Sequence, residues 1–153
     1  MFEFLPFIIF LIFGTWLTLV DIREHRLPNR LVLLSSTILA ISQVFISVAT
    51  SAEKRFLTSA LTSIVLVIVY FVFYIISRGQ FGLGDVKFAS FIGLFIGWYI
   101  PEYWIESLFA TWILGGVFAL TKLASRKNTE FAFGPFMFVG ALITYALATL
   151  ELI

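Results

Sequence analysis

Six runs of mainly apolar residues, at 4–20, 31–50, 56–77, 86–100, 103–123 and 136–150, divide this chain, and short polar stretches join them. A helix needs about 20 such residues to cross the hydrocarbon core of a bilayer. Composition removes the soluble alternative. Of the 153 residues, 61% are hydrophobic and 12% charged, with a mean hydropathy of +1.05, whereas a soluble domain carries roughly 25% charged residues. No soluble fold of this size has an interior large enough for so many apolar side chains, so the solvent is largely lipid. The expected fold is therefore all-α: a polytopic membrane protein, a single domain over 1–153, with six transmembrane helices. The first run has no basic residue before it and no small-x-small cleavage pattern. It reads as a retained span rather than a signal peptide.

The fourth run is the shortest, with a charge-free core of only 88–100. Basic residues decide whether it crosses, because they collect in cytoplasmic loops. With six spans, loops one, three and five share a side. They hold eight of the ten basic residues: Arg23, Arg26, Arg30, Arg78, Lys87, Lys122, Arg126 and Lys127. Lys54 and Arg55 are left for the other side. A five-span arrangement would split the ten evenly. The asymmetry places the three odd loops in the cytoplasm and both termini outside. Within the fourth run, Gly93-x-x-x-Gly97 puts two glycines on one helix face, where backbones can approach closely. Gly115-Gly116 has the same potential in the fifth. The competing reading is that glycine is simply frequent in membrane helices.

Composition also narrows the chemistry. The absence of cysteine removes disulfides, thiolate nucleophiles and cysteine-ligated zinc. The single histidine means that any triad or histidine metal cluster would rest on His25 alone, so no metal or cofactor is expected. A net charge of +1 offers no footing for a nucleic-acid partner. Carboxylates remain, with lysines and scattered hydroxyls. Glu3 and Glu151 lie near the termini, Glu53, Glu102 and Glu106 fall on the outer side, and Glu130 is in the fifth loop. Asp21, Glu24 and Asp85 sit at the cytoplasmic boundary, on the ends of spans one and four, which are expected to lie side by side.

Asp21 directly follows an uninterrupted apolar run. Ionisable groups at membrane depth are costly and tend to be functional; the alternative is a solvated charge paired with Arg23 or Arg26. Beyond it, Pro28 pushes Leu27 towards an extended conformation, and Pro28-Asn29 suits a helix start. The result is a short structured loop. Asp85 lies in Gln80-Phe81-Gly82-Leu83-Gly84-Asp85-Val86-Lys87. Gly82 and Gly84 can take backbone angles other residues cannot, and can let another chain, such as an extended substrate, approach closely. A carboxylate at a helix start is also favoured by the macrodipole. The plainer reading of Asp85 is an N-cap after a glycine loop. Lys87 reads as a structural cation snorkelling to phosphate headgroups, its alternative being a counter-charge to Asp85, and His25 as a solvated loop residue. The chemistry that needs two carboxyls is hydrolysis: one, ionised, takes a proton from water, and the other, protonated, polarises the scissile carbonyl.

Three stretches together resemble the prepilin peptidases, or type IV leader peptidases, membrane aspartic proteases of the Gly-x-Gly-Asp type. Asp21 with Arg26-Leu27-Pro28-Asn29 looks like the family's first aspartate and its downstream element. Gly82-Leu83-Gly84-Asp85-Val86-Lys87 matches the Gly-x-Gly-Asp motif with its Val-Lys tail. Phe133-Gly134-Pro135-Phe136 is similar to the Phe-Gly-Pro element before the last helix. The resemblance implies a multi-pass protein of the cell (inner) membrane that removes the basic leader from type IV prepilins or pseudopilins at the cytoplasmic face. Asp21 and Asp85 would be catalytic. Gly82 and Gly84 would admit the substrate backbone, Pro28 and Asn29 would hold the first loop, Lys87 would support the motif, and Gly134 and Pro135 would form the site's third wall. Membrane lipid and pilus or type II secretion assembly proteins are the implied partners. Many bacterial members add a cysteine-paired N-terminal domain that methylates the product; this chain begins with the membrane core, so peptidase activity without methyltransferase activity is expected. Two other readings stand beside this one. A broader presenilin-like intramembrane protease shares Gly-x-Gly-Asp but not Pro28-Asn29. A transporter or non-enzymatic assembly subunit would place polar groups nearer the bilayer midplane.

Overall fold

A computed structural model describes residues 2–78, 82–124 and 132–151. Among these residues the regular structure is entirely helical. A short 3-10 turn at Phe2–Phe4 leads into α1 (Leu5–Glu24), followed by α2 (Asn29–Thr50), α3 (Glu53–Ile76) and α4 (Leu83–Tyr99). A second 3-10 turn, Pro101–Tyr103, runs directly into α5 (Trp104–Ala124), and α6 (Gly134–Thr149) ends the bundle. The six expected runs thus each became one helix. Among the described residues, four segments are long and apolar enough to cross a membrane: Leu5–Glu24, Asn29–Thr50, Glu53–Ile76 and Pro101–Thr121. The helices α4 and α6 are shorter, at 17 and 16 residues. Gln80 and Phe81 of the glycine motif lie outside the described residues, as do Arg126, Lys127 and Glu130 of the fifth loop.

The shortness of α4 has a packing explanation. It is the interior helix, with Phe88, Ala89, Phe91, Phe95 and Ile96 wholly buried, as is nearly all of Trp98. A helix apolar all round is a buried one. It lies most closely on α3 and also meets α2 and α6. Gly93 and Gly97 make this contact possible. A methyl group at Gly93 would collide with Ser63 Cα, and one at Gly97 would come within 2.7 Å of Ser59 Cα. The glycine pair therefore brings two backbones together, as its spacing suggested. The Gly115-Gly116 pair does not. Gly115 makes room for the Phe133 ring, 2.6 Å from a would-be Cβ, and Gly116 faces open space. The close approach of α5 to α6 is made instead by Gly140, against the Thr111 backbone.

Polar groups seal the same seam. Gln43 Nε2 donates to the Leu94 carbonyl at 2.8 Å, and Ser59 Oγ reaches both Gln43 Oε1 (2.9 Å) and Leu94 O (2.7 Å). Ser63 Oγ donates to Ser90 O at 3.0 Å. Each pairing occupies a polar group that would otherwise be unsatisfied in an apolar medium. At the far end of α4, Arg55 Nε donates to Trp98 O (2.9 Å) while its guanidinium lies 4.6 Å over the Trp98 ring. Arg55 also pairs with Glu3 at 3.8 Å, and Tyr99 Oη donates to the Glu3 carbonyl at 2.8 Å. This end of the bundle is tied shut. The candidate site opens at the other.

Candidate active site

Asp21 belongs to the buried stripe of α1. Phe10, Gly14, Leu17 and Asp21 follow one another at helical spacing, and all are buried. The side chain therefore points into the bundle although the neighbouring Ile22, Arg23 and Glu24 are exposed. The helix continues one turn past Asp21 and ends at His25, whose left-handed backbone (φ 51°) lets its N–H donate to Asp21 O at 2.8 Å. Only 4% of Asp21 is exposed. Its partner is not Arg23 or Arg26 but the first N–H of α6: Gly134 N donates to Asp21 Oδ2 at 2.9 Å. The solvated, arginine-paired reading is thereby replaced. A helix N-terminus carries unsatisfied N–H groups and the positive end of the macrodipole, so this is a favourable contact for a carboxylate.

Gly134 has a specific steric reason to be glycine. A Cβ there would sit 2.7 Å from Asp21 Oδ2 and 3.3 Å from Asp21 Cγ. Pro135 follows in the first helical turn, where its missing N–H costs nothing. The pair supports Asp21 from behind rather than forming a third wall of the cavity, as the sequence had suggested.

Asp85 is the third residue of α4, not its cap; the cap position is Gly82. The carboxyl folds back to accept the Gly82 N–H, the half of a capping box that a glycine cap still allows. It is 9% exposed. Gly82 has φ −74° and Gly84 is helical, so neither adopts angles reserved for glycine. Space explains both. A Cβ at Gly82 would be 3.0 Å from Asp85 Oδ2, and one at Gly84 would be 3.1 Å from Leu27 Cβ. The glycine motif thus clears room for its own aspartate on one side and for the first loop on the other.

Pro28 is the extended cap residue of α2 (ψ 123°), its carbonyl receiving the N–H groups of Leu31 and Val32. That geometry turns Leu27 inward to be buried over Gly84. Lys87 does not pair with Asp85. Its Nζ donates to Asn29 Oδ1 at 2.7 Å, tying the start of α2 to the start of α4. The first loop and the glycine motif are therefore joined twice, by Leu27 on Gly84 and by Asn29 to Lys87.

Asp21 and Asp85 open onto one cavity of about 250 Å³, shared with His25, Arg26, Leu27, Gly82, Leu83 and Gly84. Sequence reasoning did not foresee Arg26, Leu27 or Leu83 as lining residues, and it treated His25 as merely solvated. His25 is exposed, yet it stands at the cavity because the left-handed cap turns the chain back over α1. The extended conformation that Pro28 imposes on Leu27 was the usable signal in the sequence. Pro28, Asn29, Lys87, Gly134 and Pro135 stand outside the cavity and hold its walls. Two carboxyl groups on one open cavity can serve as an acid and a base towards the same water molecule.

Comparison with known proteins adds one finding: the model of the type IV leader peptidase family matches residues 8–120. The match contains both aspartates and ends before Gly134. No curated protein and no solved structure gives a significant match.

Proposed function

The chain belongs to the type IV leader peptidase family, and on that premise we propose that it is a membrane aspartic endopeptidase removing the basic leader from a type IV prepilin or pseudopilin. The observation that carries this reading is the placement of Asp21 and Asp85 on one cavity at one end of an apolar helical bundle. The family is a peptidase family, and this chain has no cysteine to act as nucleophile. A carboxyl pair supplies what amide hydrolysis requires. The ionised member takes a proton from water, and the protonated member donates to the carbonyl oxygen. The tetrahedral intermediate then collapses, with the departing amine taking up a proton from the dyad. Gly82 and Gly84 line the cavity beside the dyad, and their small size lets Asp85 and Leu27 pack at its edge.

Six spans with both termini outside complete the proposal. This arrangement puts loops one and three, which build the cavity, on the side carrying most basic residues. The active site then faces the cytoplasm from the cell membrane, where a basic leader would be found. Pilus or type II secretion assembly proteins are the expected company of such an enzyme.

The test is cleavage of a purified prepilin in detergent, read by mass. The wild type should release a basic leader. Asp21→Asn and Asp85→Asn, each folded and expressed at wild-type level, should release none, a loss of at least about 10³-fold for removing one member of a catalytic pair. Substantial turnover by either variant would sink the dyad.

A further inference from the structure

A second cavity, of about 410 Å³, lies on the lipid-facing side of the same end of the bundle. It is a groove lined by the first two turns of α2 and α4 and by Val67 of α3. We infer that this groove is a binding site for one anionic phospholipid, its phosphate at Lys87 and Asn29 and an acyl chain along Val32, Leu33 and Val67. Three features of the groove select that occupant.

The first is its donor chemistry. Lys87 Nζ is held at the mouth by Asn29 Oδ1. An ammonium has three N–H donors and no acceptor, so donors remain for an anion. Because Asn29 turns its oxygen to Lys87, its amide NH₂ faces away from the ammonium as a further donor group. Asn29 is also the first residue of α2, where the leading N–H groups and the dipole favour negative charge. The second feature is polarity by depth. Asn29 to Ser36 covers about 10 Å of helix at 1.5 Å per residue. The interfacial layer on each side of a bilayer is roughly 5–8 Å thick. With the donors at headgroup level, Val32, Leu33 and Val67 line the wall below them at acyl-chain depth, and the two hydroxyls at the deep end are paired with each other. The third is access. Leu33 is 70% exposed along one edge, so the groove opens sideways into lipid. Its deep end is closed by the Ser36–Ser90 hydroxyl contact at 3.2 Å. Lys87 lines the groove itself, and Arg30, exposed beside Asn29 at the start of α2, adds basic charge at the same end. Each such cation near an anionic membrane surface contributes about 1 kcal/mol.

The occupant would sit beside the Asn29–Lys87 tie, with Lys87 two residues from Asp85. The experiment is native mass spectrometry of the purified protein from detergent. Palmitoyl-oleoyl phosphatidylglycerol is compared with phosphatidylcholine of the same chains and with millimolar inorganic phosphate. The expected result is retention of one phosphatidylglycerol per chain, at least about fivefold above phosphatidylcholine and not displaced by phosphate. Lys87→Gln should lower retention about fivefold to tenfold. Val67→Trp, which fills the groove, should lower it too, while Lys54→Gln at the opposite end should not. Melting in detergent monitors folding, and if Val67→Trp fails to fold, Lys87→Gln decides. Equal retention of both lipids, unchanged retention in Lys87→Gln, or full competition by free phosphate would overturn the assignment. So would a Val67→Trp variant that keeps its lipid but loses a dimer, which would give the groove to a second copy of the chain.

Discussion

The contact between Gly134 and Asp21 makes the most demanding prediction. In Gly134→Ala the new methyl carbon would start 2.7 Å from Asp21 Oδ2 and 3.3 Å from Asp21 Cγ. A carbon–oxygen pair has its optimum nearer 3.5 Å, so something must yield. Either α6 retreats and its 2.9 Å bond from Gly134 N to Asp21 Oδ2 lengthens beyond use, or the Asp21 side chain rotates away from the cavity. Both outcomes remove a hydrogen bond to a charged group, worth about 1.5–3 kcal/mol. At 1.36 kcal/mol per tenfold, this is a loss of about 10- to 150-fold in kcat/KM. Stability should fall as well, because the same hydrogen bond is lost from the folded state and Gly134, as the first residue of α6, gains little from alanine's preference for helix interiors. The assay is kcat/KM on a prepilin in detergent, with melting temperature followed in parallel. Gly116→Ala is the matched control, since nothing lies within 4 Å of a Cβ there. Activity of Gly134→Ala within twofold of wild type, at unchanged melting temperature, would refute the claim that the α6 terminus holds Asp21 in place.

Three further outcomes follow from the same geometry. Gly84→Val should push Leu27 off the glycine motif, since even the first added carbon is 3.1 Å from Leu27 Cβ; cleavage should fall at least about tenfold, and Leu27→Ala in the same chain should restore part of it. Gly93→Ala should lower stability in detergent by about 1–3 kcal/mol through overpacking, because the new methyl would meet the α3 backbone at Ser63 and Thr62; an unchanged melting temperature would show that α3 and α4 are not in backbone contact. The pH profile of kcat/KM should be bell-shaped. At low pH both carboxyls are protonated and the base is lost; at high pH both are ionised and the acid is lost. The two limbs belong to the pair rather than to either residue, and a single-limbed profile for the wild type would contradict a shared-proton dyad.

Much of this was legible in the chain itself. Apolar runs of span length leave a chain in lipid one local solution, the helix, because it pairs backbone groups within the run. Every run became a helix for that reason, with ends within a few residues of those read from sequence. The inward direction of Asp21 could also be read, from its place in the Phe10, Gly14, Leu17 series, and Gly93-x-x-x-Gly97 announced a close backbone contact. Such features depend on spacing along one helix, and spacing is written in the sequence.

What tertiary structure alone decided concerns contacts between distant segments. In a run apolar all round, no periodicity marks the face to be buried or the helix to be central, and α4 became central by packing. Gly82 and Gly84 looked like conformational devices; they are gaps: Gly82 leaves room for Asp85 three residues on, and only the fold brings Leu27 over Gly84. Lys87 found Asn29, 58 residues away, instead of Asp85 two residues away. Gly134 meets Asp21 across 113 residues of chain. The sequence by itself determined that this is a helical membrane protein with two aspartates at one boundary. Only the packing of α1, α4 and α6 determined that both reach one cavity, because a carboxylate's partners are set by which helix ends meet, and apolar surfaces of nearly equal hydropathy do not specify that before they pack.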